Sequence, residues 1–240
     1  MTQSAFLQLK NDIESAFKNG ERCVRNAPLQ EFPDFEFRWF LSGEFQPSLQ
    51  GDTRPETHLI FIGMNPAEAR QFARKGEDGD WTCAYLVNRL RNHDYPECFG
   101  EPSRLSFVNL VPVVATKPSE AQKKWKALSN YHEEILKLNV ETLKMMLSAQ
   151  EDFYVIPVFG TGLKGPDDWR WDGFTTMLPI LEELIEAESR IFAIQKDSSF
   201  APHPRQWPKA SNIRNCFQPA LEQLQKLRND AELKPVSYTH

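Results

Sequence analysis

Short runs of almost purely apolar residues recur along the chain and are separated by amphipathic stretches. The runs lie at residues 58–63, 105–114, 153–159 and 190–195. A run of this length without polar alternation is typical of a strand that is buried on both faces of a sheet. The sequence therefore predicts four buried strands, of which the second is disturbed at Pro112.

Apolar residues that recur every three or four positions predict helices between and around these strands. The predicted helices span residues 4–19, 81–91, 129–149, 174–188 and 219–227. Asp80 is a candidate N-cap of the second helix, and Asn130 with Glu133 resembles a capping box at the start of the third. Residues 34–45 alternate in part and predict another strand, at an antiparallel edge. Residues 63–79 carry no clean period and predict a long loop.

Buried strands separated by helices indicate the α/β class, with a central and mostly parallel sheet of four or more strands. We expect one domain over residues 1–240, with residues 1–33 as an N-terminal helical extension and residues 229–240 as a polar tail. Ligands of such open sheets bind beyond the carboxyl ends of the strands. The residues that follow each strand are therefore the first candidates for function.

The composition suits a folded protein and narrows its partners. Hydrophobic residues make up 40% of the 240 residues and aromatic residues 12%, which is enough for a sizeable core. The formal net charge of −5 argues against a protein that coats DNA through bulk charge, although a DNA enzyme needs only a local basic face. No apolar run approaches the roughly 20 residues that span a bilayer, and no secretory signal is present. A cytoplasmic protein without membrane contact, and a monomer, is expected.

The cysteines do not have the spacing of a metal site. They lie at positions 23, 83, 98 and 216, and none are two or three residues apart. Zinc ribbons and iron–sulfur clusters need closely spaced thiols. We therefore expect four reduced thiols, no metal and no cofactor.

Two asparagines stand at or near the ends of predicted strands. In residues 63–66 (GMNP), Pro66 stiffens the turn and holds Asn65, whose side-chain carbonyl can orient a water. Alternatively, Asn-Pro is simply a common turn opener. Asn109 lies inside an apolar strand, where an unpaired amide is costly. An amide offers a donor and an acceptor, which suits the edge of a nucleobase, but neighbouring backbone could satisfy it equally well.

The loop after the fourth strand presents His203 between Pro202 and Pro204. Two prolines stiffen that loop, although a lone histidine is more often structural or solvated. Residues 200–215 carry three basic side chains and no acids, and they could bind a nucleic-acid backbone unless they are ordinary solvated surface. The glycine-rich turn at residues 160–165 does not match a nucleotide-binding P-loop, but its backbone could contact a DNA phosphate.

Taken together, these segments resemble the uracil-DNA glycosylase superfamily, and in particular a branch catalogued as a domain of unknown function. The resemblance covers residues 37–207. Its landmarks are residues 38–42 (RWFLS), 63–66 (GMNP), 109–111 (NLV), Gly160 and 202–204 (PHP). It implies a three-layer α/β sandwich around the parallel sheet, with the active site at the strand ends.

The resemblance also implies roles for three residues. In the superfamily the first motif positions the attacking water, and Asn65 matches the asparagine of the mismatch-specific branch. Asn109 matches the asparagine that reads the base edge, and His203 matches the histidine that supports the departing base. Arg205 and the two residues after it depart from the usual motif, so the mode of DNA insertion does not carry over. The iron–sulfur branches need a cysteine set that this chain lacks.

The resemblance implies further contacts to base and DNA. Strict uracil enzymes place a tyrosine after the proline of the first motif, where it blocks bulk at pyrimidine C5, and Ala67 stands there instead. A small residue favours thymine-like, hydroxymethylated or glycosylated pyrimidines. Some bacterial defence glycosylases similar to this superfamily remove glucosylated hydroxymethylcytosine from phage DNA, which makes that base a candidate by analogy. The other expected base contacts are Met64 and, for stacking, Phe72 or Trp81; the expected DNA contacts are Lys164, Lys196, Arg205 and Lys209.

The sequence thus predicts a monofunctional DNA glycosylase that flips a modified pyrimidine into a pocket and leaves an abasic site. We expect Asn65, Asn109 and His203 to line one cleft. No lysine is placed as an imine-forming nucleophile, so strand cleavage is not expected. The alternatives are an N-glycosidase of free nucleosides or nucleotides and an inactive nucleic-acid-binding protein.

Overall fold

The computed structural model describes most of the chain. The described residues are 3–44, 56–72, 81–92, 95–149, 152–160, 163, 165–188, 190–194, 201–207, 216–220, 223–224, 226 and 229. The helices are α1 (Gln3–Lys18), α2 (Trp81–Arg91), α3 (Pro118–Ala127), α4 (His132–Leu147) and α5 (Trp171–Glu188). The strands are β1 (Cys23–Asn26), β2 (Phe37–Glu44), β3 (Glu56–Gly63), β4 (Glu101–Asn109), β5 (Phe153–Pro157), β6 (Phe192–Ile194) and β7 (Phe217–Pro219).

Five strands form an open mixed sheet in the order β1-β2-β4-β3-β5. Strands β3, β4 and β5 are parallel, whereas β1 and β2 pair antiparallel to their neighbours. Gly63 lies opposite Asn109, and Ile62 lies opposite Pro157, so the three parallel strands end at one edge. The predicted α/β class with a mostly parallel centre is confirmed.

Helices cover both faces of the sheet, because the buried strands alternate their side chains between two cores. Ile60 and Ile62 join the core that includes residues of α1, α4 and α5. Leu59 and Phe61 join the second core, which includes residues of α2. Both cores are rich in aromatic rings; Phe17 and Phe40, for example, meet edge to face at 5.3 Å.

A buried polar network links the neighbouring strands β3, β4 and β2. The His58 Nε2 atom lies 2.8 Å from the Ser106 hydroxyl, which in turn lies 2.9 Å from the Ser42 hydroxyl. Arg104 donates from Nε to the same Ser42 oxygen at 3.0 Å. Burial and the nearby Arg104 charge lower the pKa of His58 to about 3, so this imidazole is neutral in the folded protein.

Several predicted boundaries were wrong. β4 ends at Asn109 and does not continue to residue 114, because Pro112 has no N–H for the ladder; Val113 makes only an isolated bridge to Phe37. The fourth apolar run forms the short strand β6, which pairs with β7 in a separate two-stranded sheet. Ile191, directly before β6, forms an isolated bridge with Val155 of β5. The helix predicted from residue 219 begins later, since β7 occupies Phe217–Pro219.

Other elements differ from the pattern that predicted them. α4 begins at His132 after a 3₁₀ turn, Tyr131 is its N-cap, and no side chain caps it, so the predicted capping box was wrong. Asp80, the predicted cap of α2, lies outside the described residues. The sequence analysis missed α3, whose exposed face is lysine-rich, and the short strand β1. β2 is antiparallel as expected but is not the edge, because β1 lies outside it.

The N-terminal segment is built into the domain. Ile13 and Phe17 of α1 are buried in the core, and Lys10 donates to Glu141 of α4 at 2.9 Å. β1 extends the main sheet. The described residues 3–33 therefore contribute to both the sheet and the core. Of the predicted polar tail, only Asn229 is described. None of the described helices is long and apolar enough to cross a membrane.

Candidate active site

The loop after β3 runs beside the segment after β4 and is tied to it by backbone hydrogen bonds. Leu110 donates to the Gly63 carbonyl at 2.9 Å, and Ala115 donates to the Pro66 carbonyl at 3.0 Å. Residue 63 must be a glycine because its backbone lies close to the Asn109 side chain: a Cβ atom at this position would lie 2.5 Å from Asn109 Oδ1. The first motif and the Asn109 side chain are therefore in direct contact.

The amide of Asn65 has a defined orientation. Its Nδ2 donates to the Ala115 carbonyl at 2.9 Å and to the Pro66 carbonyl at 3.2 Å. Both partners are carbonyls, which only accept, so the atom facing them must be the NH₂ group. The opposite atom, Oδ1, has no partner among the described residues. Asn65 therefore offers a carbonyl oxygen to a ligand or a water, on a support that the backbone fixes.

Asn109 is buried at the end of β4, with 2% of its surface exposed. Its backbone carbonyl accepts a hydrogen bond from Nδ2 of Asn139 in α4, at 2.5 Å. Its side-chain amide, by contrast, finds no hydrogen-bond partner in the described part of the chain, and Nδ2 is fully buried. The neighbouring backbone groups therefore do not satisfy the Asn109 amide, and this alternative is not the one that the structure shows. A buried unpaired amide is costly, and a ligand edge with a donor and an acceptor would satisfy it.

The loop that carries His203 is held at both sides. Gly160, which follows β5 with a φ of +92° that favours glycine, donates to the Ala201 carbonyl at 2.9 Å. The Trp207 indole donates to the Pro202 carbonyl at 3.0 Å. The partly buried imidazole of His203 places Nε2 3.3 Å from the Thr82 hydroxyl of α2. These contacts fix His203 beside the N-terminal turn of α2.

The three predicted residues meet in one cleft of about 590 Å³, which Asn65, Asn109 and His203 all line. This convergence was predicted from their positions at strand ends and is confirmed; their chemical roles remain predictions. Met64 and Ala67 also line the cleft, and so does Trp81, which is 56% exposed at its rim. Six of the seven predicted contacts to the base and the reacting atoms thus line the cleft, and three of them, Met64, Asn65 and Ala67, belong to the loop after β3.

Phe72 does not line the cleft. Its ring stacks on Phe107 with centroids 5.5 Å apart and planes at 12°, and Phe107 is the ring that lines the cleft. The sequence analysis missed Phe107. The alternation of side chains along a strand could have identified Phe107, because residues two apart in β4 point to the same face and Phe107 precedes Asn109 by two positions.

The cleft also contains a buried cation that the sequence analysis did not assign to the site. Arg38 of β2 is only 4% exposed, lines the cleft and donates from Nη1 to the Ala69 carbonyl at 3.0 Å. It thereby anchors the far end of the loop that carries Asn65. Its signal in the sequence is a charged residue within an otherwise apolar strand, the same signal that identified Asn109.

Most of the predicted DNA contacts fall outside the described residues. Lys164, Lys196 and Lys209 lie outside the described residues, and only the backbone of Arg205 is described, in the 3₁₀ turn Pro204–Gln206. Among the described residues, no group of three or more histidine, cysteine or acidic side chains could hold a metal ion. Comparison with protein-family models, with curated proteins and with solved structures finds no match for this chain.

Proposed function

We propose that the protein is a monofunctional DNA glycosylase with a uracil-DNA glycosylase-like fold, which hydrolyses the N-glycosidic bond of a C5-substituted pyrimidine. One observation supports this above all: Asn65, Asn109 and His203, matched to the superfamily motifs one by one, line the same cleft. The cleft lies beyond the carboxyl ends of parallel strands, where ligands of open α/β sheets bind.

Binding begins with a flipped nucleotide, whose base enters the cleft. The unpaired amide of Asn109 hydrogen-bonds the edge of the base, which removes the cost of burying that amide without a partner. Gly63 leaves the room that this amide needs. Phe107, supported from behind by Phe72, presents an aromatic surface to the base.

Bond cleavage places negative charge on the departing pyrimidine, and a hydrogen-bond donor fixed near that charge lowers the barrier. His203 is the donor, since two prolines and the Thr82 hydroxyl hold its ring in the cleft. The buried guanidinium of Arg38 adds positive charge to the same cleft. Asn65 is an amide and not a carboxylate, so stabilisation of the leaving group supplies most of the rate enhancement.

The attacking water is oriented by Asn65. Both amide hydrogens of Asn65 are engaged by backbone carbonyls, and Oδ1 can therefore accept a hydrogen bond from a water. An amide is too weak a base to remove a proton from water early in the reaction. The water therefore attacks C1′ late, when the sugar already has oxocarbenium character.

The test is single-turnover excision on matched duplexes that carry uracil, mismatched thymine, 5-hydroxymethylcytosine or its glucosylated form. We expect release of one base, identified by mass spectrometry, and strand breakage only after alkali. Asn88→Ala, an exposed asparagine of α2 outside the cleft, is the control for Asn65→Ala. Release from free nucleosides alone would instead support an N-glycosidase of nucleosides or nucleotides. DNA binding without any base release would support an inactive nucleic-acid-binding protein.

A further inference from the structure

α3 begins on the wall of the candidate active site. Thr116 and Pro118 line the cleft, and α3 extends from Pro118 to Ala127. Residues 117–126 carry four lysines and one glutamate, which gives a local charge of +3 in a chain whose net charge is −5. The proposed chemistry makes no use of this positive charge, although it lies at the edge of the cleft.

The solvent-facing side of α3 consists of hydrogen-bond donors. Its exposed residues, which we call the α3 stripe, are Ser119, Gln122, Lys123 and Lys126. Their spacing of three and four residues places them on one side of the helix. Each side chain can donate a hydrogen bond, and none carries a negative charge. Such a surface suits a ligand that presents mainly acceptors.

The one acid of α3 does not neutralise the stripe. Glu120 pairs with Lys124, whose Nζ lies 3.1 Å from its Oε1. Lys124 also donates to the Val114 carbonyl at 3.0 Å, so this pair lies beside the segment after β4. Lys123 and Lys126, in contrast, are exposed and form no ion pair with any described residue. Their charges are therefore available to a partner.

The inner side of α3 fixes the backbone that carries the stripe. Trp125 is only 2% exposed, and its ring stacks on His132 with centroids 3.8 Å apart and planes at 5°. The His132 Nε2 atom also lies 2.9 Å from the Trp125 carbonyl oxygen. A partner that binds the stripe therefore does not have to order the helix first, which lowers the entropic cost of binding.

The order of the strands places α3 and the His203 loop on opposite sides of the cleft. β3, which leads into the first motif, lies between β4 and β5. The segment after β4 leads into α3, whereas Gly160 after β5 donates to the Ala201 carbonyl in the His203 loop. A DNA strand whose nucleotide enters the cleft between these two walls therefore passes close to the beginning of α3.

We propose that the α3 stripe binds the phosphates of the DNA strand beside the flipped nucleotide. This inference rests on the proposed function for the identity of the polyanion. Lysine, serine and glutamine side chains are all common donors to phosphate oxygens. The 10 residues of α3 span about 15 Å, which corresponds to roughly four nucleotides at about 3.4 Å per nucleotide along the duplex axis.

The experiment measures how DNA binding depends on salt. The probe is a fluorescein-labelled duplex with one tetrahydrofuran abasic analogue, which a glycosylase cannot cleave and which presupposes no target base. Fluorescence anisotropy gives the affinity of the natural protein and of the double variant Lys123→Ala/Lys126→Ala. The matched control is Lys137→Ala/Lys226→Ala, which removes the same charge at two exposed lysines outside α3 and the cleft. The single-turnover excision assay is run on the same proteins.

Each phosphate contact contributes about 0.9 to the slope of log affinity against log salt, so the slope of the α3 double variant should be shallower by about 2. Between about 50 and about 200 mM salt, the natural protein should thus lose about 10-fold more affinity than this variant. The control variant should keep the natural slope. Excision at saturating protein should be unchanged in the α3 variant, because the stripe does not contact the reacting atoms.

The outcomes separate this surface from the proposed chemistry. If the α3 variant shows the shallower slope but no duplex is cleaved, the α3 contact stands and the glycosylase proposal fails. Equal slopes for the natural protein and the α3 variant, with the base still released, would overturn the α3 contact alone. An equal loss of slope in the control would show a bulk-charge effect and would also overturn it. No binding by the natural protein would overturn both proposals.

Discussion

Replacing His58 by glutamine should make the protein less sensitive to mild acid. His58 is fully buried in β3, where its Nε2 contacts the Ser106 hydroxyl, and its pKa is lowered to about 3 by burial and by the charge of Arg104. In the unfolded chain a histidine titrates near pH 6.5. Glutamine keeps a polar group beside Ser106 but does not titrate.

The sign of the effect follows from proton binding. Above pH 6.5 both states hold a neutral imidazole, so this histidine does not make stability depend on pH. Below pH 6.5 the unfolded chain takes up a proton that the folded protein cannot accept, and stability falls as the pH falls towards 3. For one such site the loss between pH 7 and pH 5 is about 2 kcal/mol, at a limiting slope of about 1.4 kcal/mol per pH unit.

Chemical denaturation at pH 7, 6 and 5 measures this loss. The natural protein should lose about 2 kcal/mol more between pH 7 and pH 5 than His58→Gln does, which is well above the error of such measurements. Any packing defect in the variant is present at each pH and cancels in this difference. His203→Gln, which removes a partly buried histidine of the cleft, should keep the acid sensitivity. Parallel curves for the natural protein and His58→Gln would refute the reasoning, because His58 would then titrate alike in both states.

Three further predictions concern the cleft and share the single-turnover excision assay. His203→Ala should slow base release by about 10²–10³-fold, which is the usual effect of losing one oriented donor. Asn65→Ala should slow base release by about 10²-fold or less. Neither variant should change the melting temperature enough to account for its loss of activity. Ala67→Tyr should exclude pyrimidines with bulk at C5 and spare uracil if uracil is accepted; unchanged excision of the bulky base would show that residue 67 does not face C5. Gly63→Ala should displace the amide of Asn109, because the new Cβ would lie 2.5 Å from its Oδ1, and slow release on the order of 10²-fold while the fold persists by circular dichroism; normal excision would show that the amide is not needed where it stands.

The central strands could be predicted from sequence because burial on both faces leaves a local signal. Residues 59–62 are apolar throughout, and β3 lies between β4 and β5 with its side chains in both cores. β1 has no such signal, since all four of its residues are only partly buried at the edge of the sheet. α3 was missed for a related reason: only Ala121 and Trp125 are buried, too few positions to establish a period.

The residues of the candidate site also differ in whether the sequence alone could reveal them. Asn109 and His203 could be found because each conflicts with its surroundings, an amide in an apolar strand and a histidine between two prolines. Phe107 does not conflict with its surroundings, since it is an aromatic ring in an apolar strand, and it could be found only through Asn109, with which it shares a face of β4. That this face of β4 lines the cleft is a property of the tertiary packing.

The contact between Glu68 and Thr116 shows what a single sequence cannot reveal. Glu68 and Thr116 are 48 residues apart, and each is an unremarkable polar residue in its own segment. They meet because the loop after β3 follows the segment after β4, as the hydrogen bonds of Leu110 and Ala115 require. The same pairing brings Asn65 and Asn109 into one cleft. The proposed roles of Asn65 and Asn109 thus depend on one structural feature, so a change that separates the two segments should impair both together.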